Sequence, residues 1–170
     1  FKNMRIPKNS LMGKPGEGFK KFLKTLVSGR VSIGALSIGT AVGAYERALK
    51  YSSERESFGK KINKFQSVSF KLADMATKIE ASKLLVYHAA WMKDQGLNII
   101  KEAAMAKLYA SETAMRVTSD AIQVLGGNGY IKENQVERFY RDAKILEIGE
   151  GTSEIQRLII SREILKKLRF

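Results

Sequence analysis

The sequence predicts an all-α protein, an antiparallel bundle of four long helices with a remnant of another domain in front of it. Three observations lead to this fold class. Apolar residues recur at steps of three and four over long stretches, glycine-rich or polar segments separate these stretches, and no strand-like alternation appears after residue 20. With 170 residues, the chain is long enough for one domain with its own core.

The first 19 residues are the least helical part of the chain. Phe1–Ile6 roughly alternates between apolar and polar residues, as a strand does. Turn-forming residues follow it, namely Pro7, Asn9, Gly13, Pro15, Gly16 and Gly18. We therefore expect the end of a strand and then a loop, left over from a preceding domain. Because the chain opens on Phe1 rather than Met, we also expect it to be a piece of a longer protein.

Two helices are predicted next, a short one from Phe19 to about Leu26 and a long one from Arg30 to about Ser53. One face of the long helix carries an apolar stripe, made of Val31, Ala35, Ile38, Val42, Tyr45 and Leu49. Three glycines also lie on it, namely Gly34, Gly39 and Gly43. Each glycine costs a helix about 1 kcal/mol relative to Ala. We therefore expect close approach of another helix to explain at least two of them.

Two further long helices are predicted after a polar connection. Asn63 with Gln66 marks the start of one, which Gly96 ends. Asn98 is predicted to cap the other, which runs to about Leu125. Besides a stripe of large apolar residues, this helix has a stripe of mostly small ones: Ala103, Ala106, Ala110, Ala114, Val117 and Ala121. Two such stripes place it in the middle of the bundle.

The segment from Arg141 to Arg157 contains a candidate base. Glu150 stands between two glycines and directly before a predicted helix start at Thr152, where Ser153 with Gln156 fits a capping box. The glycines remove bulk on either side of the acid. Taken by itself, a carboxylate at such a turn is more often a solvated loop acid than a catalytic base. Both roles therefore stay open at this point.

The composition limits the classes of function. The chain is 44% hydrophobic and 28% charged, as globular soluble proteins are. It has no cysteine and one histidine, so neither a disulfide framework nor a thiolate or multi-histidine metal site is expected. No apolar run approaches the ~20 residues of a membrane span, so no membrane-spanning helix is expected. The net charge of +13 is one-sided only in residues 1–26, which disfavours nucleic-acid binding relative to a small phosphorylated ligand.

Five segments, in order along the chain, resemble those of a known family. They are Leu26–Arg30, Arg55–Lys60 with Phe65 and Gln66, Gln123–Tyr130, Arg141–Ile145 and Gly149–Arg157. On these segments the chain resembles the carboxy-terminal half of FAD-dependent acyl-CoA dehydrogenases, over essentially its whole length. The resemblance implies that residues 1–19 are the end of a middle β-domain and a linker, and that residues 20–170 are the C-terminal four-helix-bundle domain. It also implies a homo-oligomer, a dimer or tetramer assembled through the bundle.

The resemblance implies a chemistry as well. Acyl-CoA thioesters are dehydrogenated to trans-2-enoyl-CoA, with Glu150 removing the α proton and FAD accepting the β hydride. The family uses one base, so Glu147 is interpreted as structural. Electron-transferring flavoprotein is the implied electron acceptor. The implied location is the cytoplasm of a bacterium or the mitochondrial matrix of a eukaryote, and we favour the cytoplasm. Because the missing β-domain supplies much of the flavin site, we expect the chain alone to be inactive and to hold little or no FAD.

Other roles follow position by position from the same resemblance. Arg30 and Gly151 match substrate contacts, Arg30 near the CoA end. The residues that match flavin contacts across a dimer interface are Arg55, Ser57, Phe58, Gln66, Gln123, Gly126 and Gly127. Thr152 and Glu154 match flavin contacts in the subunit that carries the base.

The chain departs from the family pattern at two positions. Many relatives have Asp where this chain has Val27, so a polar contact to CoA is not expected from that position. Many short- and medium-chain relatives have Tyr where this chain has Gly149, which leaves the preferred acyl chain length open. Two alternatives to a dehydrogenase are also kept. One is a non-catalytic helical module for self-association, and the other is a DNA-associated flavoprotein relative, suggested by the net charge of +13.

Overall fold

A computed structural model describes residues 1–166 of the chain and is almost entirely helical. Its elements, in order, are α1 Gly18–Glu54, β1 Glu56–Ser57, β2 Lys60–Lys61, α2 Gln66–Asp94, α3 Ile100–Leu125, α4 Gly127–Tyr130, α5 Val136–Ile148 and α6 Ser153–Leu165. The all-α bundle is confirmed. The fourth predicted helix, which starts near Thr152, is α6; it has 13 residues and is thus shorter than predicted, and a further helix of 13 residues, α5, precedes it.

α1 is one continuous helix of 37 residues, whereas the sequence predicted a break near Leu26–Arg30. The stretch contains no proline, and a single helical glycine costs only about 1 kcal/mol. Within residues 1–166, α1 is the one helix with the length and composition of a membrane span, because an 18-residue stretch of it has a mean hydropathy of 1.3. This differs from the expectation that no apolar run approaches that length. A helix in the core of a bundle passes the same test, and α1 packs against α2, α3 and α5.

α3 lies in the centre of the bundle, as its two stripes predicted. It packs against α1, α2, α5 and α6, and its small residues from Ala103 to Ala121 are fully buried. Close helix packing accounts for two of the three glycines of α1. A Cβ on Gly34 would lie 2.8 Å from Val86 Cγ2, and one on Gly43 would lie 2.8 Å from the Phe139 ring, whereas Gly39 faces open space. Small residues therefore set the spacing of the central helices.

The predicted strand at Phe1–Ile6 does not form. Residues 1–16 are exposed and contain a single 3-10 turn, Lys8–Ser10, because an extended segment without a partner has no ladder to join. The expectation of no strand after residue 20 is also wrong. β1 and β2 form a small antiparallel hairpin, with Phe58 (φ 49°) and Gly59 (φ 77°) at its turn.

α1, α2 and α3 run alternately up and down, which gives the bundle two distinct ends. At one end, the start of α1 meets the α2–α3 connection and α6. At the other end, Tyr51 near the end of α1 accepts a hydrogen bond from Asn128 Nδ2 at 2.7 Å. The hairpin follows α1 at this second end, and Gly126 ends α3 there with a φ of 60°.

Candidate active site

Glu150 occupies a strained turn between α5 and α6. α5 ends at Ile148, so the first half of the Arg141–Arg157 segment is helical. Gly149 has an ordinary φ of −59°, and the left-handed conformations fall on Glu150 (φ 56°) and Gly151 (φ 97°). A residue with a Cβ is held in that region at a cost of about 1–2 kcal/mol. The turn is therefore unlike a relaxed surface loop.

Two buried side chains from neighbouring helices form hydrogen bonds with the backbone of this turn. Lys107 of α3 donates to the carbonyl oxygens of Glu147 at 2.9 Å and Gly151 at 2.8 Å. Gln156 of α6 donates through Nε2 to the carbonyl oxygens of Glu150 at 3.2 Å and Gly151 at 2.9 Å. Both side chains are fully buried. Burial lowers the pKa of Lys107, and the nearby Glu147 carboxylate opposes that effect.

The start of α6 differs from the predicted capping box. Thr152 is the N-cap residue, and its Oγ1 accepts a hydrogen bond from the Ile155 N–H at 3.4 Å. Ser153 is already helical, and its Oγ is buried without a partner among residues 1–166. Gln156 cannot close a capping box because its amide is turned into the Glu150 turn. A backbone N–H and the Thr152 hydroxyl lower the pKa of Glu154, which is exposed in the first turn of α6.

The Glu150 carboxylate lies against α1. A Cβ on Gly29 would be 2.5 Å from Glu150 Oε2, so only a residue without a side chain leaves room for this carboxylate. The next residue, Arg30, is buried, and its Nε has no partner among the described residues. Burial lowers the pKa of Arg30, and the charge of Glu150 opposes that effect. Glu147, by contrast, forms an ion pair with Lys144 on the surface of α5.

A cleft of about 1180 Å³ opens beside Glu150 at this end of the bundle. Glu150, Gly151 and Arg30 line it together. Its wall is mainly apolar and comes from α1, the α2–α3 connection and α6: Phe22, Leu23, Leu26, Val27, Leu97, Ile99, Ile100, Ile155, Leu158 and Ile159. Its cationic residues besides Arg30 are Lys20, Lys24, Lys93 and Arg162. Such a cleft suits an apolar chain that carries an anionic group.

The other predicted site residues form a second group at the opposite end of the bundle. Arg55, Ser57 and Phe58 belong to the hairpin, and Phe58 is 95% exposed. Gln66 begins α2, while Gln123, Gly126 and Gly127 lie at the end of α3. Arg30 and Arg55 are 25 residues apart along α1, which corresponds to roughly 37 Å. Within one chain, these residues and Glu150 therefore do not share a site.

The profile of the family described as "Acyl-CoA dehydrogenase, C-terminal domain" matches residues 16–165. The chain belongs to this family. It is similar to the probable acyl-CoA dehydrogenase YngJ of Bacillus subtilis, at 53% identity, and to the mitochondrial short-chain specific acyl-CoA dehydrogenase of Bos taurus, at 50% identity. The alignments cover 98% and 99% of this chain but 44% and 41% of those relatives. The chain thus spans less than half the length of these acyl-CoA dehydrogenases.

Solved structures of the family have the same fold. The butyryl-CoA dehydrogenase of Megasphaera elsdenii superposes with a TM-score of 0.92 at 46% identity. The match covers 94% of this chain and 42% of that one. The acyl-CoA dehydrogenase C-terminal domain is therefore the architecture of this chain.

The hairpin end offers groups that fit an FAD diphosphate. The Arg55 guanidinium is exposed and forms no ion pair with residues 1–166, and Ser57 and Gln66 add further polar side chains nearby. A guanidinium fork suits a diphosphate. A Cβ on Gly126 or Gly127 would meet nothing within 4 Å, so the backbone there is open to a close ligand. The donor set is consistent with the cofactor of acyl-CoA dehydrogenases.

Sequence analysis missed Lys107 and assigned Gln156 to a cap. A signal for Lys107 exists, because this lysine lies within the buried stripe of small residues on α3, next to Ala103, Ala106 and Ala110. Lysine is almost never fully buried unless its charge has partners. A lysine within such a stripe predicts an internal hydrogen-bonding role, although the sequence does not say which carbonyl groups it meets.

Proposed function

We propose that the full-length protein is an acyl-CoA dehydrogenase that converts acyl-CoA thioesters into trans-2-enoyl-CoA, with Glu150 as the base that removes the α proton. One observation carries the proposal: the Glu150 carboxylate is held against Gly29 and lines an apolar cleft with cationic residues. An acyl chain matches the apolar wall, and the phosphates of CoA match Lys20, Lys24, Lys93 and Arg162. Arg30 and Gly151 are proposed substrate contacts.

Removal of an α proton requires a donor to the thioester carbonyl, because that proton becomes acidic only as the enolate charge is stabilised. The backbone N–H of Glu150 is our candidate. It makes no hydrogen bond with another described residue. The turn that holds the base would thus also hold a donor beside the reacting carbonyl.

FAD, when bound, supplies the acceptor for the β hydride. We propose that Thr152 and Glu154 contact the flavin of their own subunit. Residues at the hairpin end would hold the flavin of a partner subunit: Arg55, Ser57, Phe58, Gln66, Gln123, Gly126 and Gly127. The separation of the two groups along α1 favours this division in a homo-oligomer. Electron-transferring flavoprotein is the proposed electron acceptor, in the bacterial cytoplasm or the mitochondrial matrix.

Glu150→Gln in the full-length protein tests the proposal. We expect acyl-CoA dehydrogenation to fall by about 10²–10⁴-fold, since a general base contributes that much, while FAD remains bound. Glu147→Gln is the matched control, because Glu147 pairs with Lys144 outside the cleft, and its activity should stay near wild type. The proposal would be refuted if the wild-type protein had no activity toward any acyl-CoA.

A self-association module is the second candidate function. The outer face of α2 exposes four large apolar side chains, Phe70, Leu84, Tyr87 and Trp91. Such a surface favours contact with another copy. This candidate predicts an oligomer without dehydrogenase activity, so the Glu150→Gln comparison separates it from the first. A steep salt dependence of duplex DNA binding would instead indicate the DNA-associated relative.

The 170-residue chain alone is proposed to bind little or no FAD and to be inactive. Its hairpin end supplies part of a diphosphate site, and the family resemblance assigns much of the flavin site to a β-domain. The test is the flavin absorbance of the purified chain after incubation with FAD and gel filtration. Stoichiometric retention of flavin would contradict the proposal.

A further inference from the structure

We propose that Lys107 is a positioning residue for Glu150, whose ammonium group fixes the α5–α6 turn so that the carboxylate reaches the substrate. The inference rests on the proposed function, in which Glu150 removes the α proton. Lys107 has no role in the chemistry described so far, and the cleft lining does not include it. Its effect would reach the substrate only through the turn.

Lys107 forms hydrogen bonds to the backbone on both sides of Glu150 in the chain. Its Nζ donates to one carbonyl three residues before Glu150 and to another directly after it. The two bonds join the last turn of α5 to the left-handed Gly151. Through these bonds, the central helix α3, which packs against α1, α2, α5 and α6, fixes the position of the base.

A lysine at this buried position has an energetic cost. The side chain is fully buried, and burial of an amine disfavours its charged form. The charge of the nearby Glu147 carboxylate opposes that effect, but this carboxylate pairs with Lys144 and accepts no hydrogen bond from Lys107. An apolar side chain of similar volume would fill the same space without that cost, but it would remove the side-chain donor to the Glu147 carbonyl and leave the Gly151 carbonyl with Gln156 alone. Beyond filling space, Lys107 therefore contributes two hydrogen bonds to the backbone of the turn.

These hydrogen bonds stabilise a strained backbone conformation at Glu150. Glu150 is one of four residues other than glycine that have a positive φ among residues 1–166. Such conformations persist only where surrounding contacts determine them, and they concentrate at functional sites. Lys107 and Gln156 supply four hydrogen bonds to the turn, from α3 and α6. On the remaining side, Gly29 of α1 leaves room for the carboxylate.

Lys107→Met in the flavin-loaded, full-length protein tests this role. A misplacement of about 1 Å in a reacting group costs about 10²-fold in rate, so we expect kcat to fall by about that factor. KM for acyl-CoA and FAD content should stay close to wild type, because the cleft wall is intact. The kinetic isotope effect with α-deuterated acyl-CoA should rise, since proton removal becomes slower relative to the other steps.

Lys71→Met is the matched control. Lys71 is a partly buried lysine that pairs with Asp120 at 3.0 Å on another face of the bundle. It should lose stability without a change in kcat or in the isotope effect. If Lys107→Met does not fold, Gln156→Met takes its place, because it removes the second donor to Gly151, and the same kinetic signature is expected.

An unchanged kcat and isotope effect in the folded Lys107→Met protein would overturn the proposal, as would equal losses in the Lys71→Met protein. Absence of any wild-type activity would instead be a failure of the proposed function. In that case, amide hydrogen exchange at residues 149–152 decides the positioning role. Faster exchange in Lys107→Met but not in Lys71→Met supports it, and unchanged exchange refutes it.

Discussion

The carboxylate of Glu150 and the backbone of Gly29 are in direct contact across the junction of α1 with the α5–α6 turn. A Cβ on residue 29 would lie 2.5 Å from Oε2 and 2.9 Å from Cδ of Glu150. Real Cβ atoms do not approach other atoms so closely. The lack of a side chain at residue 29 is therefore a condition for the position of the base, although the two residues are far apart in sequence.

Gly29→Ala is expected to displace the Glu150 carboxylate from its place in the cleft. The fold should survive, because Ala favours a helix more than Gly does. We predict that kcat/KM for acyl-CoA in the full-length protein falls by about 10²-fold, the effect of a base misplaced by about 1 Å.

Gly39→Ala is the control for this prediction. It lies on the same helix, and a Cβ there would meet nothing within 4 Å. We expect it to leave activity unchanged and to stabilise the protein by up to about 1 kcal/mol. Equal activity of the Gly29→Ala and Gly39→Ala proteins would contradict the contact described above.

Gly34→Ala is predicted to lower the stability of the bundle. The new methyl group would lie 2.8 Å from Cγ2 of the buried Val86 and near the backbone of Ala106. Overpacking of a core costs about 1–3 kcal/mol, which generally exceeds the gain in helix propensity. Urea unfolding of the 170-residue chain measures the change against Gly39→Ala, and equal midpoints for the two variants would refute the close packing of α1 on α2.

Thr152 and Ser153 are expected to respond oppositely to replacement by Ala. Thr152 caps α6, so Thr152→Ala should cost about 1 kcal/mol in the free energy of unfolding. The Ser153 hydroxyl is buried without a partner among the described residues, and an unpaired buried hydroxyl is unfavourable. Ser153→Ala should therefore be neutral or stabilising. A larger loss for Ser153→Ala in urea unfolding would restore Ser153 as the cap.

The stability of the chain should depend on pH through Lys107. Its pKa in the folded state is lowered from 10.5, so between the lowered value and 10.5 the unfolded chain binds more protons than the folded one. The free energy of unfolding then rises with pH in this window and is independent of Lys107 titration outside it. The free energy of unfolding of wild type should therefore rise relative to that of Lys107→Met as the pH increases toward 10.5. Parallel curves for the two proteins in urea unfolding would contradict the lowered pKa.

Local patterns in the sequence predicted much of the fold and the motif around Glu150. The apolar stripes located α2 and α3, and the two glycines beside Glu150 marked its turn. Three features of the secondary structure were predicted wrongly, each for a physical reason. Gly29 does not break α1, because one glycine costs too little. The β1–β2 hairpin has only two residues in each strand, too few for a periodic signal. Phe1–Ile6 has a strand-like pattern but no partner among the described residues.

The sequence by itself determined the helical class, the central place of α3 and the identity of the candidate base, because these depend on periodicity and on motifs contiguous in the chain. Only the tertiary structure decided that Gly29, Lys107 and Gln156 surround the turn of Glu150 from three helices. It also decided that Arg55 and its neighbours lie at the opposite end of the bundle. These are relations between distant residues, which the packing of side chains sets and no local pattern encodes.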